Sequence, residues 1–253
     1  GLDEAVMEGW QYVDDEIDEK WLTVPKGSLT FDVEGIDNES SHLFSRKPHV
    51  PNNSGVVIGN SGITIGRGFD VGSRSASEVA SILDKAGQHA RPISDALFTW
   101  LQAGAGKTKQ AAYEHWKTLD EKVPKEEQQL TRKMQHYLYL EIYAVYEAKT
   151  KQLTTKADVC EHYLDGNKID WDALPDNVKE VLIDLTYRGD YTGSEDKRGN
   201  TRKIIIPAVY RDLKESKSGE LSRFYQLMES ETLWTQNFKV DGNRFQNRLR
   251  FLG

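Results

Sequence analysis

The helical spacing of apolar residues from Ser75 onward is the feature that most restricts the fold of this chain. Ser75 and Glu78 have the spacing of a helix-starting capping box, and Val79, Ile82 and Leu83 follow at helical intervals. The same periodicity predicts further helices at residues 92–103, 106–120, 126–152, 176–188, 207–216, 219–230 and 243–252. The helix at 126–152 is the longest of them. Most of the chain is therefore predicted to be helical.

Residues 28–74 differ from the rest of the chain because they are rich in Gly, Ser, Asn and Pro. They also contain two short β-branched runs, at 55–58 and 63–65, on either side of the turn-forming sequence Gly-Asn-Ser-Gly at 59–62. Such runs around such a turn predict a β-hairpin. We therefore expect an α+β protein with a small lobe containing the β-hairpin, a larger helical lobe and a long connecting helix.

The N-terminal residues form a segment of their own. A regular spacing of four, three, four and four residues separates five apolar side chains: Val6, Trp10, Val13, Ile17 and Trp21. This spacing predicts an amphipathic helix over residues 2–21. Two interpretations stay open for residues 1–27, a helix packed on the main domain or a connector from an upstream module. The main domain is predicted to span residues 28–253.

The composition excludes several classes of function. The net charge is −7, from 33 basic and 40 acidic residues, which argues against nucleic acid as a partner and against simple electrostatic adhesion to an anionic cell wall. No run of about 18 apolar residues is present, so no membrane insertion is expected, and the N-terminus lacks the basic-then-apolar order of a secretory signal. The single cysteine, Cys160, rules out an intramolecular disulfide framework. Cys160 and the nearby His162 lack a second ligand pair, and no metal or other cofactor is predicted.

One glycine-rich stretch resembles a nucleotide-binding loop and is better interpreted otherwise. Residues 104–108 read Gly-Ala-Gly-Lys-Thr, but a phosphate-binding loop needs an earlier glycine at the position of Leu101. It also needs a preceding strand, whereas Ile93, Leu97 and Trp100 have helical spacing. We expect the end of a helix followed by a linker.

The segment 62–72 combines polar groups with small residues. Strand alternation predicts that Ile63, Ile65 and Arg67 point one way. Thr64, Gly66 and Gly68 then form an unusually small opposite face, with the Thr64 hydroxyl at its start and the Asp70 carboxylate after it. A fully extended chain would place Thr64 and Asp70 about 20 Å apart, too far to hold one water molecule. The chain must turn between them, so at least one of the two glycines is predicted to have a positive φ.

Glu34 is the second candidate carboxyl group. It follows Leu29, Phe31 and Val33 and precedes Gly35. A carboxyl group at the end of an apolar segment is partly desolvated, which raises its pKa and suits it to donating a proton. Glu34 and Asp70 are thus a candidate pair for glycoside cleavage. The alternative from the pattern alone is that both are solvated surface acids.

These residues resemble those of a known family. The sequence Thr-Ile-Gly-Arg-Gly at 64–68 is similar to the Thr-Ile-Gly-x-Gly signature of phage-type lysozymes, which follows a catalytic Glu-Gly like residues 34–35. Leu174-Pro175, the helix after it and Tyr187-Arg188-Gly189 resemble a second segment of that family, and residues 243–248 resemble its terminal arginine-bearing helix. Ordinary members place the catalytic aspartate before the threonine. An aspartate six residues after it is instead similar to pesticin-like muramidase domains of bacterial toxins and type VI secretion effectors.

The resemblance implies a lysozyme-like fold in which Glu34 is the acid, Thr64 positions a water and Asp70 activates it. It further implies Gly66, Arg67, Gly68 and Tyr187 as substrate-binding residues. The implied substrate is peptidoglycan, cut with inversion at the β-1,4 bond between N-acetylmuramic acid and N-acetylglucosamine, without metal or cofactor. We expect a secreted or delivered antibacterial toxin that acts in the periplasm of a target bacterium and has an immunity protein as partner. The alternatives are a phage endolysin, a chitinase or chitosanase, and a non-catalytic wall-binding module.

Overall fold

The structure, a computed structural model, describes residues 14–42, 44–53, 55–57, 59–215 and 221–253. The chain divides into two compact units, unit 1 at residues 1–142 and unit 2 at residues 143–253. It is mainly helical and also contains short antiparallel strands, so the α+β class is confirmed.

Most of the helices follow the predicted positions. Unit 1 contains α1 (Ser28–Val33), α2 (Ala76–Gly87), α3 (Asp95–Ala103), α4 (Lys109–Trp116) and α5 (Leu119–Lys122). The longest described helix, α6 (Arg132–Thr155), contributes residues to both units. Unit 2 contains α7 (Ala157–Leu164), α8 (Asp176–Arg188), α9 (Thr201–Glu215), α10 (Ser222–Met228), a π-helical turn (Thr232–Asn237) and α11 (Gly242–Leu252).

Helix boundaries follow local capping where capping residues exist. The capping box predicted for α2 is confirmed, since Glu78 N donates to Ser75 Oγ at 3.2 Å and Ser75 N donates to Glu78 Oε1 at 3.3 Å. Helix α8 has the predicted bounds and ends at Gly189, which has a φ of 91°. The start predicted at residue 207 is wrong, because α9 begins at Thr201 and contains Pro207. Helix α7 and the π-helical turn were not predicted.

The strands form two separate ribbons in unit 1. Strand β1 (Asn52–Asn53) pairs with β2 (Val56–Val57), and β3 (Thr64–Ile65) pairs with β4 (Phe69–Asp70), both antiparallel. The hairpin predicted between 55–58 and 63–65 is therefore wrong, because each run pairs with a different neighbour. A three-residue loop at 66–68 turns β3 back onto β4. On the side away from β4, Thr64 forms backbone hydrogen bonds with His49.

The N-terminal segment is not one helix where it is described. Residues 2–13 of the predicted helix lie outside the described residues. From Asp14, the chain forms two 3-10 turns, Asp15–Ile17 and Glu19–Leu22. The carboxylates of Asp14 and Asp18 accept the Glu16 and Lys20 amide hydrogens, so each aspartate caps a new turn and interrupts helical continuation. The Trp21 ring then packs on His136 and Tyr137 of α6.

The predicted division into a small β lobe and a larger helical lobe stays a prediction, and the two compact units have other bounds. Unit 1, with 142 residues, contains both ribbons as well as α1–α5, whereas the described residues of the smaller unit 2 are helical and contain no strand. The ribbons are short, and α helices of the same unit supply most of the surrounding core. Within the described ranges, no helix combines the length and apolar character needed to cross a membrane.

Candidate active site

Glu34 lies at the C-terminal end of α1, which unit 1 holds firmly. Phe31 of this helix is fully buried with its ring 5.0 Å from that of Tyr139, whose hydroxyl donates to the Gly27 carbonyl at 2.6 Å. Glu34 is the C-cap of α1 and is half-buried. Its backbone N–H donates to the Thr30 carbonyl at 3.0 Å. The predicted carboxyl at the end of an apolar segment is thus a carboxyl at the end of a short buried helix.

Thr64 and Asp70 are brought together by the β3–β4 ribbon. They are direct cross-strand partners, as are Ile65 and Phe69. Gly66 and Gly68, in the loop, have φ values of 67° and 97°, so the predicted turn between Thr64 and Asp70 is confirmed. Ile65 is fully buried while Thr64 is half-exposed, as the alternation predicts. The six-residue separation in sequence therefore becomes a side-by-side arrangement.

The type of pairing places the two side chains close together. Val71 N donates to Ile63 O at 2.9 Å on one side of this pair, and the Thr64 amide and carbonyl groups bond His49 instead. Thr64 and Asp70 are therefore a non-hydrogen-bonded antiparallel pair, in which Cα atoms lie about 4.5 Å apart and side chains share one face. The hydroxyl and the carboxylate can thus contact the same water molecule.

Two glycines build the environment of the Asp70 carboxylate. Gly72 N donates to Oδ1 at 2.8 Å and Gly62 N donates to Oδ2 at 3.4 Å. A Cβ atom on Gly62 would lie 2.5 Å from the Gly72 Cα atom and 2.7 Å from Asp70 Oδ1, so this approach requires glycine. Burial raises the pKa of Asp70 above its ordinary value, although the two amides and the charges of Arg74 and His49 act in the opposite direction. A carboxylate with a raised pKa is a better proton acceptor.

Arg67 connects the ribbon to the end of α1. Its Nη1 donates to the Phe31 carbonyl at 2.8 Å and to the Gly35 carbonyl at 3.2 Å, and its guanidinium lies 4.4 Å from the centroid of the Phe31 ring. The two carbonyls stand on either side of Glu34 in sequence. Burial lowers the pKa of Arg67, and nearby acidic groups, Glu34 among them, oppose this shift. The loop between Thr64 and Asp70 therefore also fixes the backbone that carries Glu34.

The residues after Glu34 are packed tightly against the same loop. A Cβ atom on Gly35 would lie 2.8 Å from both Arg67 Cδ and Ser45 Cβ. Gly66 N donates to Ser45 O at 2.6 Å, and Ser45 Oγ donates to Gln135 Oε1 of α6 at 2.7 Å. The close approach of these three chain segments requires a residue without a side chain at position 35.

A buried ion-pair network holds the loop that leaves this site. The Asp37 carboxylate lies 2.7 Å from both Arg46 Nε and Arg132 Nη2, and Arg46 Nη1 donates to the Leu130 carbonyl at 3.0 Å. Burial would raise the pKa of Asp37, but the two arginines outweigh burial and lower it. The chain after Glu34 is thus tied to the start of α6.

The predicted substrate-binding residues separate into three groups. Arg67 is 6% exposed, and Gly66 is buried beneath Leu130 and Leu138, so both residues help to build the site. Their predicted contact with a substrate stays a prediction. Gly68 is half-exposed, and its substrate contact stays a prediction. Tyr187 lies on α8 in unit 2 with its ring 4.4 Å from that of Tyr146, and its role likewise stays a prediction.

His49 is a site residue that sequence reasoning missed. Its backbone forms a pair of hydrogen bonds with Thr64, His49 N to Thr64 O at 2.9 Å and Thr64 N to His49 O at 2.8 Å. The available signal was weak: Pro48 and Pro51 favour an extended backbone in the residues preceding them, but nothing in the sequence specifies which strand this segment joins.

Two further sequence interpretations concern other sites. Gly104 is the C-cap of α3, so the glycine-rich stretch follows a helix as predicted and has no preceding strand. Cys160 is buried in α7. Among the residues that the structure describes, no group of three or more His, Cys, Asp and Glu side chains could hold a metal ion.

The fold and the site define an α+β protein with two candidate carboxyl groups and one hydroxyl, all in unit 1. The family model described as "Domain of unknown function (DUF8812)" matches residues 27–249, and the chain belongs to this family. No curated protein matches the chain significantly.

Proposed function

We propose that this protein is a lysozyme-like glycoside hydrolase that cuts the β-1,4 bond between N-acetylmuramic acid and N-acetylglucosamine in peptidoglycan. One observation carries the proposal. Thr64 and Asp70 are cross-strand partners in a ribbon whose loop residue, Arg67, binds the carbonyls on both sides of Glu34. A hydroxyl, a candidate base and a candidate acid therefore belong to one rigid assembly, as acid–base hydrolysis of a glycoside requires.

The proposed reaction assigns one step to each residue. The protonated Glu34 carboxyl gives its proton to the bridging oxygen as the bond between that oxygen and the anomeric carbon breaks. A water held by Thr64 and Asp70 attacks the anomeric carbon and transfers a proton to Asp70. The products are a new reducing end and a free 4-hydroxyl group. Loss of the proton from Asp70 to solvent and uptake of one by Glu34 restore the enzyme.

The environment of Asp70 supports its role as base. Its carboxylate is half-buried and burial raises its pKa. The amide hydrogens of Gly72 and Gly62 nonetheless hold the ionised form in place. The same contacts also make Asp70 the N-cap of the 3-10 turn Val71–Ser73, so this residue has a structural role besides the proposed chemical one.

The biological setting proposed for this activity is that of a delivered antibacterial toxin or effector. The sequence signature at 64–68, followed by Asp70, supports this setting through its similarity to pesticin-like muramidase domains. Such a toxin would act on glycan strands in the periplasm of a target bacterium, and the producing cell would need an immunity protein that blocks the site.

The experiment that tests the function is digestion of purified sacculi, with mass spectrometry of the soluble products. Fragments ending in reducing N-acetylmuramic acid support the proposal. Release from chitin or chitosan oligomers but not from sacculi would instead indicate a chitinase or chitosanase. Sedimentation of the protein with sacculi and no soluble fragments would indicate a wall-binding module.

The stereochemistry of the product is a second prediction. If Asp70 activates a water, its carboxyl group must be separated from that of Glu34 by enough space for the water, about 6.5–9.5 Å, and the reaction inverts. We expect the α-anomer to form first, detected by proton NMR of freshly cut oligosaccharide before mutarotation. Initial formation of the β-anomer would instead indicate a covalent intermediate and a carboxyl separation of about 5–5.5 Å.

Replacing the threonine hydroxyl tests the positioning of the water. Thr64→Val keeps the branched shape and the strand propensity, so we expect an unchanged melting temperature and a loss of about tenfold or more in turnover, the size of one lost hydrogen bond. Thr64→Ser retains the hydroxyl and is the matched control. Equal turnover of wild type and Thr64→Val would leave Thr64 as a strand residue only.

A further inference from the structure

His49 belongs to the same row of side chains as Thr64 and Asp70. Thr64 pairs with His49 on one edge through two backbone hydrogen bonds and with Asp70 on the other edge. Directly opposed residues of antiparallel strands point to the same face, so all three side chains lie on one face with Thr64 in the middle. Thr64 and Asp70 belong to the β3–β4 ribbon, and an isolated antiparallel bridge adds His49 on the other side of Thr64, which sets the order His49–Thr64–Asp70.

The chemistry of the His49 ring follows from its backbone contact. Its Nδ1 lies 3.3 Å from the Lys47 carbonyl, which can only accept a hydrogen bond. In the neutral ring Nδ1 therefore carries the hydrogen and Nε2 is an acceptor. Burial lowers the pKa of His49, which favours this neutral form, while the Asp70 charge raises it. The electrostatic effect is mutual, since His49 and Arg74 are the charged side chains that lower the pKa of Asp70.

The Thr64 hydroxyl has no strong competing partner among its backbone contacts. It donates to the Gly62 carbonyl at 3.3 Å, which is long for a hydroxyl donor, whose usual distance is about 2.7–2.8 Å. A rotation about its side-chain bond can therefore redirect this hydrogen at little cost. Redirection toward His49 would turn the oxygen lone pairs toward Asp70, where the water must lie.

We propose that His49 is a positioning residue whose Nε2 accepts the Thr64 hydroxyl hydrogen and thereby directs the Thr64 oxygen toward the water beside Asp70. The inference rests on the proposed hydrolytic function and adds a residue to it. His49 acts only through Thr64 and does not itself contact the sugar or the water.

Two substitutions separate this role from a structural one. His49→Asn keeps a donor near the place of Nδ1 and has no atom at Nε2, whereas His49→Gln has an amide oxygen that can reach the place of Nε2 but loses the local donor. We expect His49→Asn to lower kcat about tenfold with little change in KM, and His49→Gln to retain most of the activity. The opposite order would show that only the bond to Lys47 matters and would overturn the proposal.

A double-mutant cycle with Thr64→Val tests the route of the effect. Because His49 acts through the Thr64 hydroxyl, His49→Asn should lower kcat no further once Thr64 is Val. Additive losses would contradict the proposal. Melting temperatures of all four proteins verify that each is folded.

An NMR titration tests the arrangement without any substrate. The His49 ring signals are assigned by their loss in His49→Asn and followed with pH in the wild type and in Asp70→Asn, whose amide oxygen can still accept from Gly72. Removing the Asp70 charge should lower the pKa of His49. An unchanged His49 pKa would overturn the row arrangement. An inactive wild type with this coupling intact would instead refute only the hydrolytic function.

Discussion

Glu34→Gln is expected to remain folded and to lose nearly all glycan-cleaving activity. Glutamine keeps the shape and polarity of the side chain at the C-cap of α1 but has no proton to give to the leaving oxygen. General acid catalysis contributes roughly 10²–10⁴-fold, so we expect a loss in that range. The measurement is the rate of release of soluble fragments from sacculi, together with circular dichroism spectra and melting temperatures.

The matched control is Glu39→Gln, which makes the same chemical change at an exposed residue in the loop after Glu34. This variant should digest sacculi at the wild-type rate. Activity of Glu34→Gln within about tenfold of wild type would refute Glu34 as the acid. Loss of both activity and cooperative melting would show that the change disturbs α1, and Glu34→Asp would then test the acid with the carboxyl retained.

Local signals in the sequence were sufficient to predict much of the helical structure. Ser75 and Glu78 fix the start of α2, and Gly189 fixes the end of α8, because caps act over three or four residues. The 3-10 turns at 15–17 and 19–22 show the opposite case. There the apolar spacing predicted a helix, but the Asp14 and Asp18 side chains form competing local hydrogen bonds.

The strand pairing could not be obtained in the same way. The run at 63–65 has suitable residues for a strand, but its partners lie at residues 69–71 and at His49, and the choice of partner depends on the whole unit. A turn between Thr64 and Asp70, with a positive φ at one or both of Gly66 and Gly68, was predicted, and it already implied that the chain reverses within this loop. The glycines of this loop were a stronger signal for a chain reversal than the sequence Gly-Asn-Ser-Gly at 59–62.

The sequence was sufficient to predict the motif of the candidate site, but not the contacts that support it. The order Glu34, Thr64, Asp70 follows the sequence signature, and alternation correctly placed Arg67 on the inward face with Ile63 and Ile65. The Arg67 guanidinium donates to the Phe31 and Gly35 carbonyls only because α1 lies beside the loop. The position of α1 in the fold cannot be predicted from a local sequence pattern.

The largest expected loss of stability comes from a buried ion-pair network in unit 2. The fully buried Asp184 carboxylate accepts from Arg244 Nη2 at 2.7 Å and from Arg248 Nε at 2.7 Å. Arg248 Nη2 also donates to the buried Asp190 at 2.9 Å. Burial by itself would raise the pKa of Asp184, but Arg248 and Arg244 outweigh it and lower the pKa from 3.8 to about 2. The network thus joins α8 to α11.

Asp184→Asn removes one charge from this network and turns an amide donor toward an arginine donor. Breaking a buried ion pair by changing one partner costs about 3–5 kcal/mol, so we expect a loss of this size in the free energy of unfolding at pH 7. Urea denaturation of the whole chain measures it. Asp196→Asn is the control, because Asp196 pairs with Arg198 in the same unit but at the surface, where an ion pair contributes little.

The pH dependence of the Asp184→Asn effect distinguishes the charge from a simple packing defect. Because the folded pKa of Asp184 is below its unfolded value, the ionised carboxylate stabilises the wild type fully above about pH 4, and this contribution is lost as the pH falls toward 2. The shift corresponds to about 2 kcal/mol. The stability difference between wild type and Asp184→Asn should therefore shrink by about this amount between pH 4 and pH 2. A difference that stays constant over that range would show that the Asp184 charge does not stabilise the fold, and that the loss at pH 7 arises from the altered hydrogen bonds alone.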